Sequence, residues 1–324
     1  MTLRIGVLGA SRIAESAIVG PAEELGHRLV AVAARDPRRA AAFAEKYGVE
    51  RVLGGYDEVI ADPDVDVVYN PLANALHALW NLAAVAAGKP VLSEKPYARN
   101  ESEAREVAEA SALAGVPVIE AFHYLYHPVT RRLLELIGAG DLGELREVTV
   151  SMEMPAPTDD DPRWSYELAG GALMDLGCYG LHFIRRVAAL TGAEPVITAA
   201  RAVERSPGVD ADATVELAVG DARAVSVNSM TADDYRFGIT VVGSRGRAFA
   251  HDFIRPNLDD RVTITTDTGT TVERLGTRSS YSYQLEAFAA HVQHGAPLPV
   301  DGADAVANMA LVDAAYRAAG LPPR

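Results

Sequence analysis

A largely apolar stretch at residues 3–8 runs directly into Gly9-Ala10-Ser11-Arg12-Ile13-Ala14 and then a helical pattern to about residue 25. A second apolar stretch, 28–34, follows at the spacing of a βαβ unit. Strand, tight glycine turn and helix in that order predict a parallel sheet with crossover helices. They also converge backbone N–H groups at a helix start, where a pyrophosphate can sit. The turn departs from the usual form, because Ser11 stands where a second glycine would let phosphate approach closely. The alternation continues as helix 37–47, a short strand near 52–53, helix 56–61, strand 65–69, a helix from His77 to 87, strand 91–92, helix 101–114 and strand 117–120. It predicts a Rossmann α/β domain over 1–121, with crossovers of the usual right hand.

Beyond residue 121 the pattern changes. A helix at 128–138 precedes strand 145–154, a Pro/Asp-rich loop at 155–162 and a helix at about 171–190. Strand-like stretches follow at 195–204, 211–219, 222–230, 237–243, 247–252, 261–266 and 270–274, and helices at 281–294 and 302–319 end the chain. This predicts an α+β second domain over 122–324, a large, mostly antiparallel sheet with one helix packed across it.

The formal net charge of −14, with no Lys/Arg run, argues against nucleic acid as partner. No apolar run is long enough to span a bilayer, and the chain opens on a strand signal rather than a leader. One cysteine, Cys178, allows no internal disulfide and fits a reducing compartment, so a cytoplasmic protein is expected.

In open α/β sheets ligands bind outside the carboxyl ends of the strands. Two such ends carry informative residues. The second strand ends in Ala34-Arg35-Asp36-Pro37, where a carboxylate would accept from an adenosine ribose hydroxyl and an arginine would pair with a 2′-phosphate. With Arg35 first, NADP is expected in preference to NAD, while Asp36 could simply cap the helix that starts at Pro37. The strand at 91–92 ends in Ser93-Glu94-Lys95-Pro96, so Lys95 stands at the mouth of the crevice as a reacting cation, a phosphate anchor or an ordinary solvated lysine.

The second domain offers Arg163-Trp164 and then Gly170-Gly171-Ala172-Leu173-Met174-Asp175-Leu176-Gly177-Cys178-Tyr179-Gly180-Leu181-His182. On a helix, Asp175, Tyr179 and His182 share one face. Nicotinamide redox chemistry at a carbon–oxygen bond needs a hydride partner and a proton partner. A phenol titrates near pH 10 unless a neighbouring cation lowers that value, so Tyr179 beside a lysine is a workable proton carrier.

These stretches, with Asn74 and His77, Glu120-Ala121-Phe122…His127-Pro128 and the Gly9–Ala14 turn, resemble the glucose–fructose oxidoreductase/inositol dehydrogenase/MocA family. Tyrosine at position 179 is similar to the branch containing dihydrodiol dehydrogenase and NADP-dependent xylose dehydrogenase. The resemblance implies an NAD(P)-dependent oxidoreductase acting on a sugar, polyol or cyclic diol or ketone. It implies Lys95 and Tyr179 as the catalytic pair, with Asp175 positioning substrate or phenol. Gly9, Ala10, Ser11, Arg12, Ile13, Arg35, Asn74, His77, Glu94, Lys95 and Trp164 are implied for the cofactor, and His123, Arg163 and His182 for the substrate. It further implies a cis Lys-Pro bond and a homodimer or homotetramer formed through the second domain's sheet. Three departures stand out: Ser11, Ala169 in place of the first glycine of a triplet, and His123 with Leu125 where the branch often has Met and Arg.

Glu120, His123 and His127 could form a metal set, but the segment reads as strand and Pro128 follows directly, so no metal is expected. Cys178 lies among apolar residues with no obvious base, as an inert buried thiol does. A catalytically silent NADP- and sugar-binding sensor of the same fold is the remaining alternative.

Overall fold

The computed structural model describes residues 1–324, which divide into two compact units, Met1–Phe122 with Tyr281–Met309 and His123–Ser280 with Ala310–Arg324. In the first unit, strands β1 (Arg4–Leu8), β2 (Arg28–Ala33), β3 (Val67–Asn70), β4 (Val91–Ser93) and β5 (Val118–Glu120) form a parallel sheet of order β2-β1-β3-β4-β5. Val7, Leu8, Val32, Val68 and Val91 are fully enclosed, as expected of strands covered by helices on both faces. The strand expected near 52–53 is reduced to a single bridge, Val32 to Val52.

The crossovers hold α1 (Gly20–Leu25), α2 (Pro37–Tyr47), α3 (Tyr56–Ala61), α4 (His77–Ala86) and α5 (Glu101–Ala114). Caps written in the sequence set two of these. Asp36 accepts from Arg38 N at the start of α2, and Asn100 accepts from Glu103 N at the start of α5. Each such cap contributes about 1 kcal/mol. The first helix departs from expectation. Residues Glu15–Val19 wind as a wider π turn before α1, a change of pitch that apolar spacing does not register.

In the second unit, α6 (Pro128–Gly138), β6 (Leu145–Glu153) and α7 (Cys178–Thr191) precede seven strands. These are β7 (Pro195–Ser206), β8 (Val209–Val219), β9 (Ala222–Ser229), β10 (Arg236–Gly243), β11 (Gly246–Ala250), β12 (Arg261–Thr266) and β13 (Gly269–Arg274). The eight-stranded sheet runs β13-β12-β11-β10-β6-β9-β8-β7, antiparallel except where β6 pairs β9. Two helices cover it rather than one, since α6 packs beside α7 as well as on β11 and β12. Gly180 lets α7 lie close to the sheet, because a Cβ there would stand 2.2 Å from Ser226 Oγ. Cys178 opens α7 and is fully buried.

Here too a π turn, Leu173–Gly177, precedes the α-helix where one continuous helix is expected. Just before it, Ala169 occupies the left-handed region at φ 57°, the position where the resemblance expects glycine. A side chain there costs about 1–2 kcal/mol.

α8 (Ser280–His294) returns to the first unit from Tyr281 onward, and α9 (Gly302–Ala318) passes from the first unit to the second. Leu285 and Phe288 of α8 are enclosed, Ser282 donates to Glu24 at 2.6 Å, and Gln293 donates to the Met1 carbonyl at 2.6 Å. The chain changes unit after Phe122, Ser280 and Met309, where the sequence alone leads one to expect a single boundary at 121/122. In the second unit the buried carboxylate of Asp210 accepts from Leu173 N at 2.6 Å, Tyr316 Oη at 2.9 Å and Arg324 Nη2 at 2.7 Å.

Candidate functional site

In the first unit the carboxyl ends of β1 to β4 lead into the expected cofactor residues except Trp164, which lies in the second unit. Gly9 has φ 91°, donates to Ala33 O at 2.7 Å, and would bring a Cβ to 2.9 Å from Leu72 Cδ2. The turn therefore needs glycine both for its left-handed backbone and for room. Ser11 Oγ is enclosed with no hydrogen-bond partner in the chain, while Arg12 is exposed and Ile13 is 38% exposed. An orphaned hydroxyl beside a left-handed glycine at a helix start fits a bound pyrophosphate.

At the end of β2 the two alternatives for Asp36 separate. Its carboxylate caps α2 and pairs with Arg38, so it is committed to the helix. Arg35 is exposed beside it. Arg39 reaches back to donate to the Ala10 carbonyl at 2.9 Å, placing a further cation against the glycine turn that sequence reading passed over.

The ends of β3 and β4 are locked by a buried amide network. Asn70 Nδ2 donates to Asn81 Oδ1 at 2.8 Å, and Asn81 Nδ2 donates to Ser93 Oγ at 3.0 Å. Tyr69 donates to Glu94 Oε1 at 2.9 Å, and burial raises that phenol's pKa well above its ordinary value. Glu94 is thus engaged by the sheet itself. Lys95, half-buried, follows it, and its bond to Pro96 is cis. Asn74 lies in a single 3₁₀ turn that leads into α4.

His77 is fully enclosed, with Nδ1 2.7 Å from Pro96 O and Nε2 2.9 Å from Leu72 O. Its contacts are therefore to the backbone of the residue after Lys95 and of the loop that follows β3. Burial holds its pKa down to about 4, against an ordinary 6.5, although both carbonyls favour the charged ring. Between those values the unfolded chain binds a proton that the folded chain refuses. Stability is expected to fall as pH drops through that window, by about 3 kcal/mol at most from this ring. Urea unfolding across the window checks this, and His77→Gln should flatten the slope; an unchanged slope would contradict the assignment.

In the second unit the expected residues gather around two centres. Tyr179 Oη lies 3.3 Å from His123 Nε2, and His123 Nδ1 lies 2.8 Å from Ser280 Oγ. The Tyr124 ring meets the Tyr179 ring edge-on at 5.7 Å, and Tyr124 Oη lies 2.8 Å from His182 Nδ1. Tyr179, His123 and His182 are all buried. Asp175, by contrast, accepts from Arg163 Nε at 2.7 Å, and Arg163 also pairs with Asp161. The charges of Asp175 and Asp161 raise the Arg163 pKa. Trp164 donates to Pro157 O at 3.3 Å, and the Arg205 guanidinium covers its ring at 4.2 Å. His127 caps α6 through Nδ1, which accepts from Val129 N at 3.1 Å.

The missed residues are the Asn70–Asn81–Ser93 network, Arg39 and Ser280. Asn81 sits one turn beyond His77 on α4, which is the signal that could have exposed it.

The oxidoreductase family GFO/IDH/MocA, with its NAD-binding Rossmann fold, matches residues 3–122, and that family's C-terminal domain matches residues 130–249. A D-xylose 1-dehydrogenase (NADP(+)) from Haloferax volcanii is 32% identical over 98% of this chain and 97% of its own. A trans-1,2-dihydrobenzene-1,2-diol dehydrogenase from Xenopus laevis is 31% identical over 76% of this chain and 74% of its own. Among solved structures, KijD10, a 3-ketoreductase from Actinomadura kijaniata in complex with NADP and TDP-benzene, matches at a TM-score of 0.89. It is 27% identical, with 98% of each chain covered. The chain belongs to the GFO/IDH/MocA family and is a nicotinamide-dependent oxidoreductase.

Proposed function

We propose that the protein transfers a hydride between NADP and a hydroxyl-bearing carbon of a sugar or related polyol, with Tyr179 exchanging the proton. The observation that carries this reading is the buried phenol of Tyr179, on a helix pressed against a sheet, with His123 Nε2 3.3 Å from its oxygen. When bound, NADP supplies or accepts the hydride at its nicotinamide. Gly9 and Ser11 receive the pyrophosphate, and Arg35, with Arg39 nearby, meets the 2′-phosphate. Lys95 supplies a cation for the reacting oxygen, and Asp175, fixed by Arg163, borders the substrate. The xylose, dihydrodiol and sugar-ketone substrates named for the relatives support a polyhydroxylated substrate class.

A homodimer or homotetramer is part of this reading, supported by the long β7, whose Val196 and Val203 are 60% and 63% exposed. No helix is long and apolar enough to cross a membrane, and a lone buried thiol supports the cytoplasm.

An aldose, polyol and diol panel with NADP⁺, followed at the nicotinamide absorbance, tests the function. Turnover with at least one member is expected; binding without turnover across the panel would favour a sensor instead. Arg35→Ala is expected to weaken NADP(H) by about 10–100-fold, the worth of a charge-assisted phosphate contact. NAD(H) should change little, and parallel losses for the two dinucleotides would remove Arg35 from the 2′-phosphate.

A further inference from the structure

Tyr179 has a nitrogen-bearing neighbour, His123, whose other ring nitrogen is also engaged. The His123 ring lies between Tyr179 Oη, 3.3 Å from Nε2, and Ser280 Oγ, 2.8 Å from Nδ1. Its centroid stands 5.9 Å from the Tyr179 ring with the planes at 71°, so the two rings meet edge to face rather than stacked. His123, Ser280 and Tyr179 are 0%, 1% and 5% exposed. A serine hydroxyl can donate to one ring nitrogen, which leaves the single proton of a neutral imidazole on the other.

We infer that His123 is a positioning residue for Tyr179: it donates Nε2–H to the phenolic oxygen, the Ser280 hydroxyl donates to Nδ1, and the chain thereby stabilises the phenolate from behind. The inference rests on the proposed role of Tyr179 in proton exchange. A phenol that must pass its proton forward to a substrate oxygen has to keep its O–H pointed there. The group behind it should then be a donor to its lone pairs, not an acceptor that draws the proton back. In carbonyl reduction the Tyr179 O–H bond breaks, its proton goes to the substrate oxygen as hydride reaches the carbon, and the phenolate left behind receives Nε2–H. In alcohol oxidation the proton returns from the hydroxyl to that phenolate. His123 neither gains nor loses a proton in either direction.

Other ionisable groups surround the pair. The Tyr124 phenol meets the Tyr179 ring and bonds His182, Asp175 is held by Arg163 on the turn before α7, and Asp252, adjoining Phe253 that packs on Tyr124, is tied to Arg255.

Incorporation of carbon-labelled tyrosine allows the Cζ resonance of residue 179 to be followed with pH in the unloaded protein, assigned by its loss in Tyr179→Phe. His123→Met, which keeps bulk and removes the donor, is expected to move that titration upward by about one pH unit. The acid limb of kcat/KM for alcohol oxidation should move with it. His123→Gln, whose amide can donate, should restore at least half of the shift, and Ser280→Ala should move it in the same direction as His123→Met. A titration that stays in place or moves downward in His123→Met overturns the inference, even if kcat falls. Full activity in Tyr179→Phe would instead remove the proposed role of the phenol, and the resonance measurement would still decide what His123 does to it.

Discussion

Tyr179→Phe is expected to lower kcat for hydride transfer by about 10²–10⁴-fold, the usual worth of a positioned acid or base. Binding of NADPH, followed by fluorescence titration, should be nearly unchanged. The substitution removes one oxygen and leaves the ring, so the edge contact with Tyr124 and the packing of α7 on the sheet are kept. A loss confined to kcat would therefore report proton exchange rather than misfolding. Because carbonyl reduction and alcohol oxidation both pass through the same oxygen, both directions should suffer together. Activity equal to that of the natural protein would remove Tyr179 from the reaction.

Asp210→Ala is expected to destabilise the second unit by about 3–5 kcal/mol, because it leaves the Arg324 guanidinium enclosed without its anion. Both side chains of this pair are fully buried. Arg324 also donates to the Gly170 carbonyl at 2.8 Å and lies 4.1 Å over the Tyr316 ring. Burial raises the Asp210 pKa despite the arginine, the tyrosine and the Leu173 amide, all of which favour the carboxylate. The pair is thus held in place by packing as much as by attraction. Thermal unfolding should show a fall in midpoint on the order of 10 °C. Asp210→Leu combined with Arg324→Met removes both charges, and should recover a large part of the loss. If the single variant unfolds within about 1 kcal/mol of the natural chain, the charge pair is not what ties residue 324 to the start of the π turn.

The parallel sheet was legible because each of its strands is a short apolar run between glycine, proline and polar breaks. Helices 37–47, 56–61 and 101–114 came out at their observed limits because caps and left-handed glycines bound two of them. The antiparallel strands were readable one by one, yet their order was not. The parallel pairing of β6 with β9 joins residues far apart in sequence, and local pattern says nothing of which edges meet. Both π turns escaped for a different reason: a five-residue turn is too short to alter an apolar period that is read over about 11–18 residues. At the site, residue types were legible and their partners were not. Asp175, Tyr179 and His182 read as one stripe, whereas Asp175 is held by Arg163, Tyr179 by His123 and His182 by Tyr124. Asp36 was open between ribose reader and helix cap, and only the hydrogen bonds to Arg38 and its amide assign it to the cap.

The enclosed position of Cys178 has an experimental use. Since the chain carries no other sulfhydryl, maleimide dyes or spin labels would find almost no background. A cysteine introduced on the exposed face of α2 and another on β7 would then report alone. The spacing of the two halves in solution, with and without dinucleotide, becomes a direct spectroscopic measurement.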